Sequence, residues 1–474
     1  MKAYEPVIGL EVHVELATAT KIFCSCPTDT FGAEPNTAVC PVCMGLPGAL
    51  PVLNRRAVEY AALAGLALGC TIEPRSGQDR KNYFYPDLPK AYQISQYDRP
   101  LCHGGCLEID TAAGHKRIGI TRIHIEEDAG KLIHDSEQGT MIDYNRCGVP
   151  LIEIVSEPDI RSAEEAKAYL QKLRSVIRYT GVSDCHMNEG AFRCDVNLSV
   201  RPVGETALGT RTELKNLNSF AFVAKAIESE FRRQVDALER GEDIRQETRR
   251  FDPATGKTYP MRQKENAEDY RYFPDPDLPD VVLAPQRIDA LRASLPPLPD
   301  ARRARYMADY GLSPYDAEQL TADRAMADCF EAAARLTEYP KLLANLMISE
   351  LTRLSESPEF SCPIAPEHLA ELATLSGERT VNSSTAKKLL ARMWERDESP
   401  RSLVKALGWE QITDPERLRP VVRRVLDENP QSVTDYRNGK KAAAKALVGK
   451  VMSATDGKAD PILVHSLVDS LLFF

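Results

Sequence analysis

Five stretches of this 474-residue chain alternate between apolar and charged side chains with period two, and a β-sheet with two chemically different faces accommodates that pattern best. Within 9–16, Leu10, Val12, Val14 and Leu16 fall on one side and Glu11, His13 and Glu15 on the other. Arg122, His124 and Glu126 align within 120–126, and Glu153 and Glu157 within 151–157. Within 193–201, Cys194, Val196, Leu198 and Val200 alternate with Arg193, Asp195, Asn197, Ser199 and Arg201. Arg211, Glu213 and Lys215 align within 211–215.

A sheet with one face in water explains any one of these strands alone. Solvent faces, however, draw on Thr, Ser, Lys and Gln, whereas these five carry carboxylates, imidazoles and arginines together. That mixture suits a divalent cation beside a phosphorylated substrate. Mg2+ takes hard oxygen ligands from a few carboxylates and keeps positions for phosphate, and Arg or Lys neutralises a transferring phosphoryl group. The chain has no GxxxxGK[ST] loop and no GxGxxG fingerprint, so a nucleotide, if used, lies on the sheet.

Twelve cysteines in a chain without an export signal read as metal ligands or buried thiols before disulfides. Cys24, Cys26, Cys40 and Cys43 form CxC-x13-CxxC, two close pairs that match a closed tetrahedral zinc site. Four free thiols are the alternative. Cys102, His103 and Cys106 offer three ligands and no fourth, as a turn with incidental thiols does.

Asn54 can cap a helix that stops at Gly69, and Ser162 with Glu165 forms a capping box for a helix ending at Gly181. A third helix is expected from about 220 to 239. The proline-rich stretch 295–300 is the clearest boundary, since proline blocks helix and removes donors. Beyond it almost every period is helical, with a second break near 398–400. The expected organisation is α+β: a strand-rich domain over 1–292, a helical domain over 293–400 and a small helical tail over 401–474. Net charge is −9, and only 401–474 leans basic, with 12 Lys+Arg against 9 Asp+Glu, so nucleic-acid contact should be local and C-terminal. No apolar run reaches the ~18–20 residues of a membrane span and the start has no signal-peptide pattern, so a cytoplasmic protein with no membrane contact is expected.

Longer strings carry a family resemblance. GLEVHVEL (9–16), KNYFYPDLPKAYQISQ (81–96), IHIEEDAGK (123–131), DYNR (143–146) and PLIEIVSEPD (150–159) resemble the B-type subunits of aspartyl/glutamyl-tRNA amidotransferases, the GatB/GatE family. So do RCDVN (193–197), ELKNLNS (213–219), QETRRFD (246–252) and DYRYFPDPD (269–277), in family order. NGK (438–440) and GKVM (449–452) resemble the family's YqeY-like tail.

The resemblance implies a glutamine-synthetase-like cradle, a helical domain and a tRNA-touching tail. It implies a ligase that uses ATP and Mg2+ to phosphorylate the side-chain carboxylate of Glu-tRNA(Gln) or Asp-tRNA(Asn). Ammonia from a GatA amidase partner then displaces phosphate, and GatC braces the heterotrimer. Carried onto this chain, Glu11, His13 and Glu126 are first candidates for the Mg2+/phosphate site, with Glu153 and Glu213 next. Glu127 is disfavoured because alternation turns it away. Arg193, Arg211 and Lys215 would contact phosphate. Asn82, Tyr83, Tyr85, Lys90, Tyr92 and Gln93 would line the pocket for the tRNA acceptor end, its aromatics stacking the terminal adenosine or simply packing the loop. His124 reads equally as ligand or core histidine. Lys440, Lys441, Lys445 and Lys450 would meet tRNA phosphates or form a solvated helix face. Within this family the four cysteines vary, which makes their Zn2+ structural. A non-catalytic tRNA-binding scaffold is the alternative function, but it has no use for carboxylates and imidazoles converging with arginines. A self-sufficient amidotransferase fails for want of a Ser-rich amidase stretch or an N-terminal catalytic cysteine.

Overall fold

The computed structural model describes residues 3–135, 139–263, 267–355, 360–438 and 440–472. In it the five charged-face segments become β1 (Tyr4–Glu15), β2 (Gly114–Glu127), β3 (Pro150–Ser156), β4 (Phe192–Pro202) and β5 (Thr212–Lys215). They are neighbours in space, in the order β5-β4-β1-β3-β2, inside one ten-stranded mixed sheet. Their four junctions are antiparallel. Beyond β5 the Glu247–Asp252 strand pairs in parallel and carries the Lys257–Gln263 strand at the edge.

The alternation is realised as a dry face and a polar face. Leu10, Val12, Val14, Ile152, Ile154, Val196, Leu198 and Leu214 are at most 1% exposed and form one core with the three expected helices and the Pro285–Ser294 helix. One parity exception has a local cause. Ile120 shares the parity of Arg122, His124 and Glu126, yet it joins the core, because the β2–β3 register shifts between Val155 and Ser156. A bulge of this kind inserts one residue and swaps the faces on either side of it.

The three helices follow their end signals. In α1 (Arg55–Ala67) the Asn54 side chain accepts from the Arg56 N–H. In α2 (Ala163–Thr180) Ser162 accepts from the Glu165 N–H at 3.1 Å, and the Glu165 carboxylate accepts from the Arg161 N–H at 2.7 Å. Gly181 ends α2 at φ +72°, a left-handed position that glycine reaches without strain. α3 (Phe220–Glu239) starts at Ser219, whose side chain accepts from the Phe222 N–H. Each such cap contributes about 1 kcal/mol.

The chain divides into two compact units, Met1–Leu298 and Pro299–Phe474, the division falling inside the proline-rich stretch. The second unit is helical. Eight of its described helices begin on a proline (Pro299, Pro314, Pro340, Pro366, Pro400, Pro415, Pro430 and Pro461), where the missing N–H would have no helical partner. It holds two hydrophobic cores, one around Tyr306, Phe330, Leu343 and Leu389, the other around Leu418, Leu447, Val451 and Val468. Val404, on the Pro400–Leu407 helix past the expected break, belongs to the first of these. Among the described residues no helix is long and apolar enough to cross a membrane.

Candidate active-site cleft and cysteine centre

On the polar face, register places functional side chains side by side. His13 on β1 sits directly opposite Arg193 on β4 and Glu153 on β3, and Glu153 directly opposite His124 on β2. Directly opposed side chains on one face lie within contact range. His13 Nε2 is 3.4 Å from Glu126 Oε1 and 3.5 Å from Glu153 Oε2. His124 Nε2 is 3.3 Å from Glu153 Oε2 and 3.7 Å from Glu126 Oε2. His13, Glu126 and Glu153 can each offer one ligand atom to a common ion.

Charge follows this geometry. Burial opposes a charged His13, but its hydrogen bond to Glu153 and the charges of Glu153 and Glu126 push it up to about 9. His124 is raised against burial by the same two carboxylates. Burial also opposes an ionised Glu153, yet the two imidazoles hold its carboxyl well below the usual range.

Glu11 takes a different place from the one expected. It does not join His13 and Glu126 but groups with Asp195 and Glu213, again with one ligand atom each within reach of a common ion. Strand rise explains the separation, since two residues along β1 span about 6.7 Å, whereas Asp195 lies directly across from Glu11. Asn197 donates to Glu11 at 2.7 Å and Thr248 to Glu213 at 2.8 Å. Lys215 Nζ is bonded to Asp195 and lies 3.6 Å from Glu213; burial works against its charge, and these two carboxylates raise its pKa. Arg211 is exposed and precedes β5.

Arg193 donates to Asp128 at 2.7 Å, and Arg146 lies 3.3 Å from the same oxygen. Despite burial, these two guanidiniums keep Asp128 ionised. Burial and the Asp128 charge together push neighbouring Glu15 up to about 7. His13, Arg193, Asp195 and Lys215 line an open cleft of about 1080 Å3.

The 82–93 segment is mostly spoken for by its own neighbours. Asn82 donates to the Arg271 carbonyl at 2.8 Å and Gln93 to the Glu127 carbonyl at 2.7 Å. Lys90 forms a buried ion pair with Glu127. Tyr92 packs under the Arg80 guanidinium at 4.2 Å, and Tyr83 meets Tyr270 edge-on. Tyr85 is exposed. Sequence reasoning missed Lys81. Its ammonium stands 4.7 Å over the Tyr270 ring and 5.8 Å over Tyr83. Burial opposes its charge, while Tyr272, Glu126, Tyr83 and Glu153 reinforce it, so Lys81 is electrostatically part of the His13 cluster.

The four cysteines form a second centre. Their sulfurs all lie within 4.8 Å of one another, with Cys40 and Cys43 3.9 Å apart. Sulfurs at 2.3 Å from a tetrahedral zinc are about 3.8 Å apart, so the donor set fits that ion. Cys43 is drawn down to about 5, chiefly by its bond with Cys24 and also by the Cys40 N–H and Lys21. Cys102, by contrast, is fully buried, and His103 pairs with Glu73 at 2.9 Å.

In the tail, Lys440 lies 3.1 Å from Asp435, Lys450 bonds Asn429, and Lys445 is exposed on the Lys441–Ala454 helix. The side chain of Lys441 lies outside the described residues.

Residues 6–289 match the model of the GatB/GatE catalytic domain, and residues 328–472 match that of the GatB domain. The chain is 55% identical over 470 residues to a protein of Caldanaerobacter subterraneus named as the B-type subunit of aspartyl/glutamyl-tRNA(Asn/Gln) amidotransferase, covering 98% of each chain. Proteins of the same name from Carboxydothermus hydrogenoformans and Geobacter sulfurreducens are each 52% identical to it. The former match covers 99% of this chain and 98% of its relative, the latter 98% of each.

Proposed function

The chain belongs to the GatB/GatE family, and from that membership we propose how its polar sheet face carries out its reaction. It is an amidotransferase subunit of the B type, and the reaction it catalyses is tRNA transamidation. The finer reading is ATP-dependent conversion of Glu-tRNA(Gln) or Asp-tRNA(Asn) to Gln-tRNA(Gln) or Asn-tRNA(Asn), on a cradle of the glutamine-synthetase kind. A side-chain carboxylate oxygen forms a bond to the γ-phosphorus as the β–γ bridge breaks and ADP leaves. Ammonia then attacks the activated carbonyl carbon, nitrogen loses a proton and phosphate departs.

His13, Glu126 and Glu153 are the residues that would hold Mg2+, with His124 fixing Glu153. A bound Mg2+ supplies positive charge against the γ-phosphoryl oxygens. Arg193, fixed by Asp128, stands beside this cluster and presents charge to the transferring group. Lys215, clamped by Asp195 and Glu213, presents a second charge along the cleft, and Glu11 completes that clamp. Preorganised cations of this kind act on the charge that develops in the transition state. The acyl phosphate needs exclusion of water, which the 82–93 segment, held to its neighbours, serves as a wall. Ammonia is supplied by a GatA partner, with GatC completing the heterotrimer. Cys24, Cys26, Cys40 and Cys43 would hold Zn2+ with four protein ligands, a donor set that suits a structural role.

One observation carries this reading: two imidazoles and two carboxylates converge in register beside an Arg-lined cleft. A tRNA-binding scaffold needs none of that. The test is the chain reconstituted with GatA- and GatC-type partners, misacylated tRNA, labelled ATP and ammonium chloride in place of glutamine, which bypasses the amidase. ADP and amidated tRNA that depend on ATP, and fall at least 100-fold with Glu126→Gln, about the loss of one transition-state contact, support it. Tight tRNA binding with no turnover on either Glu-tRNA(Gln) or Asp-tRNA(Asn) would return the scaffold.

A further inference from the structure

Lys21 is fully buried, which for an ammonium demands a nearby anion. Its Nζ donates to the Ala38 carbonyl at 2.7 Å and to Cys43 Sγ at 3.8 Å. Among the described residues no carboxylate pairs with it, and the nearby Glu127 is taken by Lys90. The carbonyl is neutral, and one sulfur 3.8 Å away does not by itself fully compensate a buried positive charge. Four thiolates around a divalent cation do, because that centre carries a formal charge of about −2.

We propose that Lys21 is the built-in counter-cation of the four-cysteine metal centre, holding one ligand sulfur through an N–H···S bond and compensating the charge of the loaded site. This rests on the zinc reading above and goes beyond it, since closed four-thiolate centres need no lysine to be complete. A donor bonded to a ligand atom orients that ligand and tunes its hold on the metal, typically tenfold or more in affinity.

Lys21 also ties the centre to the cleft. The Ala38 N–H donates to Asn145 Oδ1 at 2.8 Å, and Asn145 donates to the Glu34 carbonyl at 2.7 Å. Asn36 bonds Asp143 and the Ile142 carbonyl, each at 3.0 Å. The loop between the two cysteine pairs is thereby stapled to the 142–146 turn that supplies Arg146. Lys21 is therefore a positioning residue that acts through the metal centre.

The test compares full-length wild-type protein with Lys21→Met, both loaded with zinc and then stripped by chelator under reductant. The expected result is about one zinc per wild-type chain, at least tenfold faster release of zinc to a chromophoric chelator from Lys21→Met, and a reversal in stability. With zinc the variant has the lower urea midpoint. Without zinc it equals or exceeds wild type, because the uncompensated charge is gone. Wild type that binds no zinc would overturn the metal reading itself. Wild type that binds zinc, with release from Lys21→Met unchanged, would overturn only the role of Lys21. Should Lys21→Met not fold, Lys21→Gln takes its place, and acylation of wild-type Lys21 gives an independent readout by mass spectrometry. Labelling should rise at least tenfold when zinc is removed, and equal labelling in both states counts against the proposal.

Discussion

His13 and Glu153 face each other directly across the β1–β3 ladder, with Nε2 3.5 Å from Oε2. An imidazole so placed is protonated until something displaces its proton, and burial, outweighed by the Glu153 bond and charge, leaves its pKa at about 9. A raised histidine pKa stabilises the fold fully below the ordinary value of about 6.5, and that contribution disappears as pH rises through the folded value. In metal-free protein the loss therefore falls between about pH 6.5 and 9. Urea midpoints of wild type should decline across that window relative to His13→Gln, and parallel pH profiles would show that His13 is not held this way. A cation must also displace this proton. Apparent Mg2+ affinity should rise with pH up to about 9, by no more than tenfold per unit, and lose that slope in His13→Gln.

Glu126→Gln keeps side-chain volume and removes one charge from the cluster. ADP formation with misacylated tRNA should fall by about 10²–10³-fold, with the thermal midpoint and partner binding unchanged. A normal rate of ATP consumption in this variant would place the phosphoryl site elsewhere.

Much of this site was legible because period two maps directly onto a sheet face. Alternation puts Glu11, His13, Glu126, Glu153, Arg193, Glu213 and Lys215, with other polar residues, on the charged faces of their strands, the family resemblance singles them out there, and the four cysteines read out because their spacing is local. Alternation does not say who neighbours whom. Glu11 sits beside Asp195 and Glu213 because β4 and β5 continue the sheet on that side, and His13 reaches Glu126 and Glu153 because β3 and β2 continue it on the other. Strand order is set by tertiary packing and leaves no mark in any one strand. The β2 bulge was hidden for the same reason, since the parity change shows only once Ile118 and Ile120 are seen to join the core. Lys90 and Gln93 lie in a string whose chemistry suggests a pocket wall, yet both are committed to Glu127. Lys81 escaped notice because it stands on the short Asp79–Asn82 strand of a separate sheet, with no periodic signal to say which way it faces.

Lys81 gives a prediction of its own. Its ammonium is held over Tyr270 and Tyr83 while facing the charges of Glu126 and Glu153. Lys81→Met keeps the stem packed against the rings and removes the charge. The fold should tolerate it, while kcat for transamidation with ammonium falls about tenfold or more and KM for tRNA changes little. An unchanged kcat would reduce Lys81 to ring packing.

Glu230 offers a stability test away from the cleft. It is fully buried on α3, accepts from Thr212 at 3.0 Å and Thr258 at 2.7 Å, and lies 3.3 Å from Arg249 and closer still to Arg233. Burial notwithstanding, bonds from Arg233, Gln234 and Thr258 keep it ionised. Glu230→Ala removes the carboxylate shared by Thr212, Thr258, Arg233 and Arg249, leaves Arg249 its pair with Glu247, and should cost about 1–3 kcal/mol, read as a drop in urea midpoint at constant slope. A loss under about 1 kcal/mol would mean that the arginine finds another partner.

The tail lysines differ in how free they are. Lys440 is tied to Asp435 and Lys450 to Asn429, whereas Lys445 stands exposed on its helix. A phosphate contact is an ion exchange, so each lysine that meets tRNA adds about one to the slope of log affinity against log salt. Lys445→Ala should weaken tRNA binding at low salt and flatten that slope by about one, leaving kcat at saturating tRNA unchanged. Lys440→Ala and Lys450→Ala should do the same only where tRNA outcompetes Asp435 and Asn429, giving a smaller change of slope. A slope identical to wild type in all three variants would make this helix face solvent alone.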